Sequence, residues 1–472
     1  MLAEREIVQR FMETRRQVHP DVVAYIREQN DPRLIDRILH AVPEDRPVII
    51  PRDVPGLQPV RDAARFLTDP HLEVIAGAPG HSTVSGDFMT TVQYFRRRYD
   101  RLSEMIRQRM PAMPIEALKT SPSRYREQEC IVCGLVSDVR TTQNGHRMVE
   151  VEDNTATIRV LFHKKREDVF SEAERILPDE VIGVRGQLSD DGGLFFANQL
   201  LRPDIPLTHR PYPSERDGVA VLISDLHVGS DTFLEEEWNR FADWLSDSDA
   251  SYLLIAGDVV DGIGVYPGQE KELTIANIYE QYERVGEMLS DLPSRLAIVV
   301  APGNHDVVRG AEPQPVIPER FTASFPDNCR MVENPALLSL QGVRVEMYHG
   351  RSFDDMISMI PGASYPESDR IMEEMLRRRH LAPSYGGRTP IAAATEDRLI
   401  IDPIPEILHT GHVHICGLRK YRGVLCVNSG TWQAQTSFQK QMNIHPTPAR
   451  ACVLDLRTLE PQVLDFNRPV RE

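Results

Sequence analysis

Residues 219–227 read Val-Ala-Val-Leu-Ile-Ser-Asp-Leu-His, an apolar, strand-forming run that ends on an aspartate and a histidine. Apolar runs of this length are typical of strands buried on both faces, as in layered α/β folds. The arrangement returns four times. The run 251–256 leads into Gly-Asp258-Val-Val-Asp261, 296–301 into Gly-Asn304-His305-Asp306, 343–348 into His349-Gly, and 406–410 into Gly-His412-Val-His414. Helical patterns lie between, at 235–246 and 274–289, and two more strand patterns follow at 424–428 and 451–456. This alternation predicts an α/β layered domain over 207–472, with ligands gathering beyond the carboxyl ends of its strands.

Upstream the pattern differs. Over residues 1–45, Ile7, Val8, Phe11 and Met12, then Val22, Val23 and Ile26, recur at helical spacing between charges, which predicts a small helical module. Residues 46–120 read as a linker with a helix. Pro47, Pro51, Pro55 and Pro59 punctuate it, residues 71–76 suggest a short strand, 76–86 are rich in Gly, Ser and Pro, and 88–109 carry an amphipathic helical pattern. Over 121–206 five short strand patterns (131–139, 148–152, 157–162, 181–188 and 194–200) are separated by turn signals at Asn144-Gly145 and Asp191-Gly192-Gly193, with a helical piece at 165–176. That order suggests an OB-type barrel. Arg147, Arg159, His163, Lys164, Lys165 and Arg166 could line a single-strand groove or form a solvated basic turn. Cys130 and Cys133 have no second pair nearby and precede a strand, so they read as packing cysteines.

The whole chain is therefore expected to be multidomain α+β. Its 472 residues exceed one core, and 41% apolar residues suffice for globular folding. No apolar stretch approaches a membrane span, the charged N-terminus lacks a secretory pattern, and six cysteines form no disulfide framework. The expectation is a cytoplasmic protein with no membrane partner. Lys and Arg total 54 against 70 Asp and Glu, a net charge of −16. Proteins that grip nucleic acid through their own surface are usually basic. Either the substrate is not nucleic acid, or phosphate is held by cations and a basic partner.

Taken singly, each strand-end motif reads as a helix cap or a structural histidine. Five together supply what two-metal phosphoester hydrolysis requires, namely carboxylates and imidazoles able to hold two cations ~3.5–4 Å apart and neutralise phosphoryl charge. Asp, Asn and His without thiolate suit Mn²⁺, with Fe²⁺ or Zn²⁺ as alternatives.

The series DLH, GDVVDG, GNHD, YHG and GHVH resembles the calcineurin-like metallophosphoesterase superfamily, with no ligand position replaced. That resemblance implies two divalent cations. Asp225, His227, Asp258 and His414 would hold one, and Asp258, Asn304, His349 and His412 the other, with Asp258 bridging. His305 would protonate the leaving oxygen, Asp306 would orient His305, and Asp261 would support the ligands. His409-Thr-Gly-His-Val-His414, Tyr421-Arg-Gly-Val424, Asn428-Ser-Gly-Thr-Trp-Gln433, Pro446-Thr-Pro-Ala-Arg450 and Arg309 with Glu312-Pro-Gln-Pro315 are similar to the small subunit of the archaeal family-D DNA polymerase.

This narrower resemblance implies a 3′→5′ exonuclease acting on single-stranded or mismatched DNA beside a large polymerising subunit, and the sliding clamp reached through that complex. Arg309 and Arg351, next to ligand motifs, are candidate phosphate contacts; the alternative is salt bridging to Glu312, Asp354 or Asp355. A stand-alone phosphoesterase on nucleotides or phosphoproteins and a non-catalytic scaffold are the rival readings.

Overall fold

The computed structural model describes residues 4–29, 31, 33–42, 48–49, 54, 70–80, 86–125 and 128–467. Its first unit comprises α1 (Glu4–Glu13), β1 (Gln17–Val18), α2 (Pro20–Gln29), α3 (Arg33–Ala41) and β2 (Val48–Ile49), with β1 and β2 paired in parallel. Ile7, Phe11, Val22, Val23 and Ile26 meet Leu34, Ile35 and Ile38 in one core. Met12, assigned to that apolar face by its spacing, is instead exposed; it lies ~100° around the helix from Phe11. Pro47, Pro51, Pro55 and Pro59 lie outside the described residues.

Next come β3 (Leu72–Ala76), α4 (Phe88–Arg107), α5 (Ile115–Thr120) and α6 (Pro122–Tyr125). The barrel follows as β4 (Cys130–Thr141), β5 (Arg147–Glu152), β6 (Thr157–Phe162), α7 (Glu167–Glu174), β7 (Val181–Leu188) and β8 (Phe195–Leu201). It closes in the order β4-β5-β6-β8-β7 with α7 between its third and fourth strands, the OB arrangement. Gly145, at φ +77°, turns the β4–β5 hairpin. Cys130 and Cys133 are free and buried in and beside the barrel core. Burial pushes the Cys133 thiol up to about 12, so it stays protonated and unreactive.

The last domain contains β9 (Val219–Ile223), α8 (Glu235–Asp247), β10 (Tyr252–Ala256), α9 (Ile278–Ser290), β11 (Ala297–Ala301), α10 (Glu319–Thr322), β12 (Cys329–Met331), β13 (Ala336–Leu340) and β14 (Val343–Tyr348). It continues through α11 (Phe353–Met359), α12 (Ser368–Arg378), β15 (Ile407–Thr410), β16 (Gly417–Tyr421), β17 (Val424–Asn428), α13 (Ser437–Gln441), β18 (Arg450–Asp455) and β19 (Pro461–Asp465). Two six-stranded sheets result, ordered β12-β11-β10-β9-β18-β19 and β16-β17-β15-β14-β13-β3.

The sheets stack face to face. Ala220, Leu222, Tyr252, Leu254 and Val299 of the first pack with Leu338, Val345, Met347 and Ile407 of the second. The alternate residues Val221, Ile223, Leu253 and Ile255 face α8 and α9, while Tyr348 and Leu408 face α11 and α12. Successive side chains of a strand point to opposite faces, so β9, β10 and β11, covered on both faces, are apolar throughout.

The strand and the helix expected within 46–120 form where the sequence suggests, but both belong to the folded body. The stretch read as a linker supplies β3, which pairs antiparallel with β13 and forms the edge of the second sheet. Helix α4 is not a spacer either. Tyr99, Leu102 and Ile106 pack on Cys133, Leu135 and Val181 of the barrel, while Tyr94 joins the core under α12. Fully buried Arg98 donates to Asp397 at 2.7 Å and to the carbonyls of Pro383 and Asp179 at 2.5 and 3.2 Å. A helix whose faces meet two domains is held by tertiary packing, which one-dimensional periodicity does not reveal.

Candidate metal centre

Five strands deliver the motif residues to one place, three from the first sheet and two from the second. Asp225 and His227 follow β9, Asp258 follows β10, Asn304 and His305 follow β11, His349 follows β14, and His412 and His414 follow β15. Within each sheet these strands run parallel to one another, so their carboxyl ends lie on one edge of the sandwich. Asp225, His227, Asp258, Asp261, His349 and His414 are buried.

Backbone conformation marks the same residues. Asp225, His227, Asp258, His412 and His414 have φ of 52°, 54°, 51°, 70° and 60°. Left-handed backbone costs a side-chain-bearing residue on the order of 1–3 kcal/mol, and such residues cluster at functional sites. The motif glycines serve close approach. A Cβ on Gly303 would lie 2.1 Å from Asp258 Oδ1, one on Gly411 2.2 Å from Asp225 Oδ2, and one on Gly257 2.4 Å from His349 Nδ1.

The donor atoms converge. His414 Nε2 lies 3.4 Å from Asp225 Oδ1, and His349 Nε2 lies 3.3 Å from Asp258 Oδ2 and 3.0 Å from Asn304 Oδ1. Three overlapping groups have ligand atoms within 4.8 Å of one another: Asp225–His227–His414, His227–Asp258–His305 and Asp225–Asp258–His349. Asp258 belongs to two of them and joins the two sheets' contributions.

Supporting contacts orient the rings. His349 Nδ1 donates to the Ala256 carbonyl at 3.0 Å, which aims Nε2 inward. His227 Nδ1 sits 3.1 Å from Asp261 Oδ1, and Asp261 is itself held by Gln269 at 2.8 Å and Gln433 at 3.2 Å. Gln439 on α13 lies 2.8 Å from His414 Nδ1. Such outer contacts fix tautomer and ring direction at metal sites.

Charge is unbalanced toward the negative. Burial would lower the His349 pKa, but Asp258 and Asp225 outweigh it and raise the ring to about 10. Burial likewise opposes ionisation of Asp258, yet His349, His305 and His227 hold its carboxyl well below the usual range. His227 Nε2 and His414 Nε2 face each other at 3.1 Å, two nitrogens that a shared Lewis acid would satisfy together. The donor set thus fits hard or borderline divalent cations.

Not every expected residue falls where the spacing suggests. The His412 imidazole turns toward Asp354, with Nε2 3.3 Å from Oδ2, although its backbone N–H caps Asp225 at 2.9 Å. Asp306 does not orient His305, a correction to the sequence reading. Its oxygens accept from Gly303 N at 2.8 Å and from the Tyr282 hydroxyl at 2.9 Å, clamping the Gly-Asn-His loop from beneath. His305 Nδ1 instead donates to the Asp261 carbonyl at 2.7 Å, and its own N–H donates to Asp258 Oδ1 at 2.8 Å. Arg309 donates to the carbonyls of Ala311 and Pro313 at 3.2 and 2.6 Å, and Arg351 to that of Gly310 at 2.8 Å. Sequence reasoning missed Gln269, Gln433, Gln439 and Tyr282; Gln433 alone carried a signal, in the quoted segment ending at it.

Residues 220–414, from β9 to the last motif histidine, match the family model for the DNA polymerase alpha/epsilon B subunit. Residues 130–199 match an OB-fold nucleic acid binding domain. The chain is 44% identical over 411 residues to the DNA polymerase II small subunit of Methanothermobacter thermautotrophicus, covering 84% of this chain and 83% of that protein. The chain belongs to the family of DNA polymerase II small subunits.

The namesake of Halobacterium salinarum is 44% identical over 402 residues, covering 84% and 78%, and that of Methanocaldococcus jannaschii 40% over 409 residues, covering 83% and 68%. The family-D resemblance and the multidomain α+β architecture with an OB barrel are thereby borne out. Among the described residues no helix is long and apolar enough to cross a membrane.

Proposed function

We propose that this chain is a metal-dependent 3′→5′ exonuclease subunit, trimming single-stranded or mismatched 3′ ends beside a large polymerising subunit. The observation that carries this reading is the convergence of carboxylates and imidazoles from five strand ends, with left-handed backbone at four of those residues. Asp225, His227, Asp258 and His414 would hold one cation, and Asp258, Asn304, His349 and His412 the other. Bound divalent cations would supply Lewis acidity toward a phosphodiester and lower the pKa of water, with Mn²⁺ suited to these donors and Fe²⁺ or Zn²⁺ as alternatives.

The chain's own groups do the rest. His305, half-buried at the rim and fixed through Asp261 and Asp258, presents Nε2 to donate a proton to the leaving 3′ oxygen. Arg309 and Arg351 lie on two adjoining loops, after β11 and β14, and would steer phosphate once freed from their backbone carbonyls. The barrel supports DNA contact through its basic turn, where the His146 and His163 rings lie 4.1 Å apart beside exposed Lys164, Lys165 and Arg166. A large partner would supply the basic channel that a chain of net charge −16 lacks, and would bring any sliding clamp.

The test is digestion of end-labelled, 3′-mismatched DNA in Mn²⁺ by the full chain, with Asp225→Ala and His305→Ala beside it. Stepwise 3′ shortening is expected from the wild type. His305→Ala should slow it ~10²–10⁴-fold, as loss of a proton donor does, and Asp225→Ala should also lower the number of Mn²⁺ ions bound. Shortening that persists unchanged in both variants sinks the proposal.

A further inference from the structure

Apolar side chains stand exposed on two loops whose inner residues support the candidate metal centre. On one side, residues 262–268 follow Asp261. Gln269 turns in beneath Asp261, while Ile263 and Val265 are 47% and 40% exposed. This loop lies against His305: a Cβ on Gly262 would meet both the His305 carbonyl oxygen, at 2.5 Å, and Val265 Cγ2, at 2.9 Å. The Tyr266 ring is 6.5 Å from that of His305, its hydroxyl held by Glu272 at 2.8 Å.

On the other side is α13. Gln439 turns in to His414, while its neighbour Phe438 and nearby Met442 are 61% and 57% exposed. Between the loops, the His227 ring lies 4.7 Å from His305 and 4.9 Å from His414.

Each loop therefore has an anchored inner residue and an unburied apolar outer one. Aromatic and aliphatic side chains left in water beside a polar site lack a packing explanation, and exposed patches of this kind mark binding surfaces. The flat apolar faces of nucleobases fit them. Base stacking on protein aromatics is tolerant of sequence and strengthens binding about 5- to 150-fold per base.

We infer that Tyr266 with Val265 and Phe438 with Met442 form two stacking shelves that hold unpaired 3′-terminal bases on either side of the phosphodiester to be cut. The inference rests on the nuclease reading above and adds its source of selectivity. A paired terminus must break its last base pairs to occupy both shelves, whereas a mismatched or single-stranded end is already free to do so. These side chains position the strand and take no part in proton transfer.

The probe is a single-stranded oligonucleotide with 2-aminopurine at its 3′ end, mixed with the full chain in EDTA so that stacking is read without turnover. Wild type should change the probe's fluorescence on binding. Phe438→Ala and Tyr266→Ala should each weaken binding about 10-fold, and in Mn²⁺ both should narrow the preference for mismatched over paired ends. Leu207→Ser, an exposed apolar residue before β9, should change neither. Binding by Phe438→Ala and Tyr266→Ala as tight as wild type overturns the shelves, even if trimming persists. If wild type trims no DNA, yet fluorescence is lost in the two variants, the shelves stand and the nuclease reading falls. If the variants bind the probe normally but no longer co-elute with the large subunit, the loops dock protein and the inference is wrong.

Discussion

Gly411 shows how little room surrounds the candidate ligands. Its hydrogen faces Asp225, whose carboxylate also accepts the His412 N–H. Gly411→Ala would drive a methyl into Oδ2 and Ser224 Oγ, so the carboxylate must move. Weakening of Mn²⁺ binding by about 10-fold or more is expected in calorimetric titration, with overpacking costing ~1–3 kcal/mol of stability. Unaltered Mn²⁺ affinity would show that Asp225 is not a ligand. The motif residues were legible in sequence because each follows its strand directly. Gln269, Gln439 and Tyr282 were not, since each reaches its partner from another loop or helix. The inward turn of Asp306 was hidden for a related reason: sequence places it beside His305, but not which way the loop twists.

At the scale of elements, α12 joins the barrel to the two-sheet domain through buried charge. Glu374 meets Arg175 at 2.6 Å and Arg377 at 3.4 Å and also pairs with Arg378, while Glu172 meets Arg202 at 2.7 Å and Arg377 at 2.9 Å. Burial would raise the Glu374 carboxyl, but Arg378 and the neighbouring arginines overcome it and hold it at about 2. A depressed carboxyl stabilises the fold above its unfolded pKa of ~4.3; that contribution drains away as pH falls through the folded value. Urea melts between pH 5 and 2.5 should show stability falling as acid is added. In Glu374→Gln this component should be absent, with lower stability already at pH 7, because the arginines are left unpaired. Identical acid profiles would remove Glu374 from the account. The barrel strands were readable from alternation and turn residues, whereas β13, β16 and β19 were not. Their places are set by pairing with β14, β17 and β18.

Over the whole molecule, 70 acidic residues against 54 basic ones make local placement of positive charge decisive. Phosphate contacts from the barrel turn should appear in the salt dependence of binding, ~0.7 in log–log slope per cation on a single strand. Lys164→Ala/Lys165→Ala should therefore weaken single-strand binding uniformly across sequences and flatten the slope by ~1.4. An unchanged slope would place DNA elsewhere on the surface. The N-terminal module adds a contact at this scale: the Gln17 side chain accepts the Asp465 N–H at 2.7 Å, and the His19 and Trp244 rings lie 6.3 Å apart. It thereby sits against the outer strand of the first sheet, a place its helical periodicity could not indicate.

The sequence by itself determined the strands that carry the motifs, the OB order of the barrel and which residues end those strands, because burial and turn geometry act on neighbours in the chain. Tertiary structure alone decided that two sheets bring their strand ends to one edge, that β3 and α4 belong to the folded body, that His412 turns to Asp354 and that glutamines support the candidate ligands. Those outcomes depend on contacts between residues far apart in sequence, where packing and hydrogen bonding, not local preference, select the arrangement.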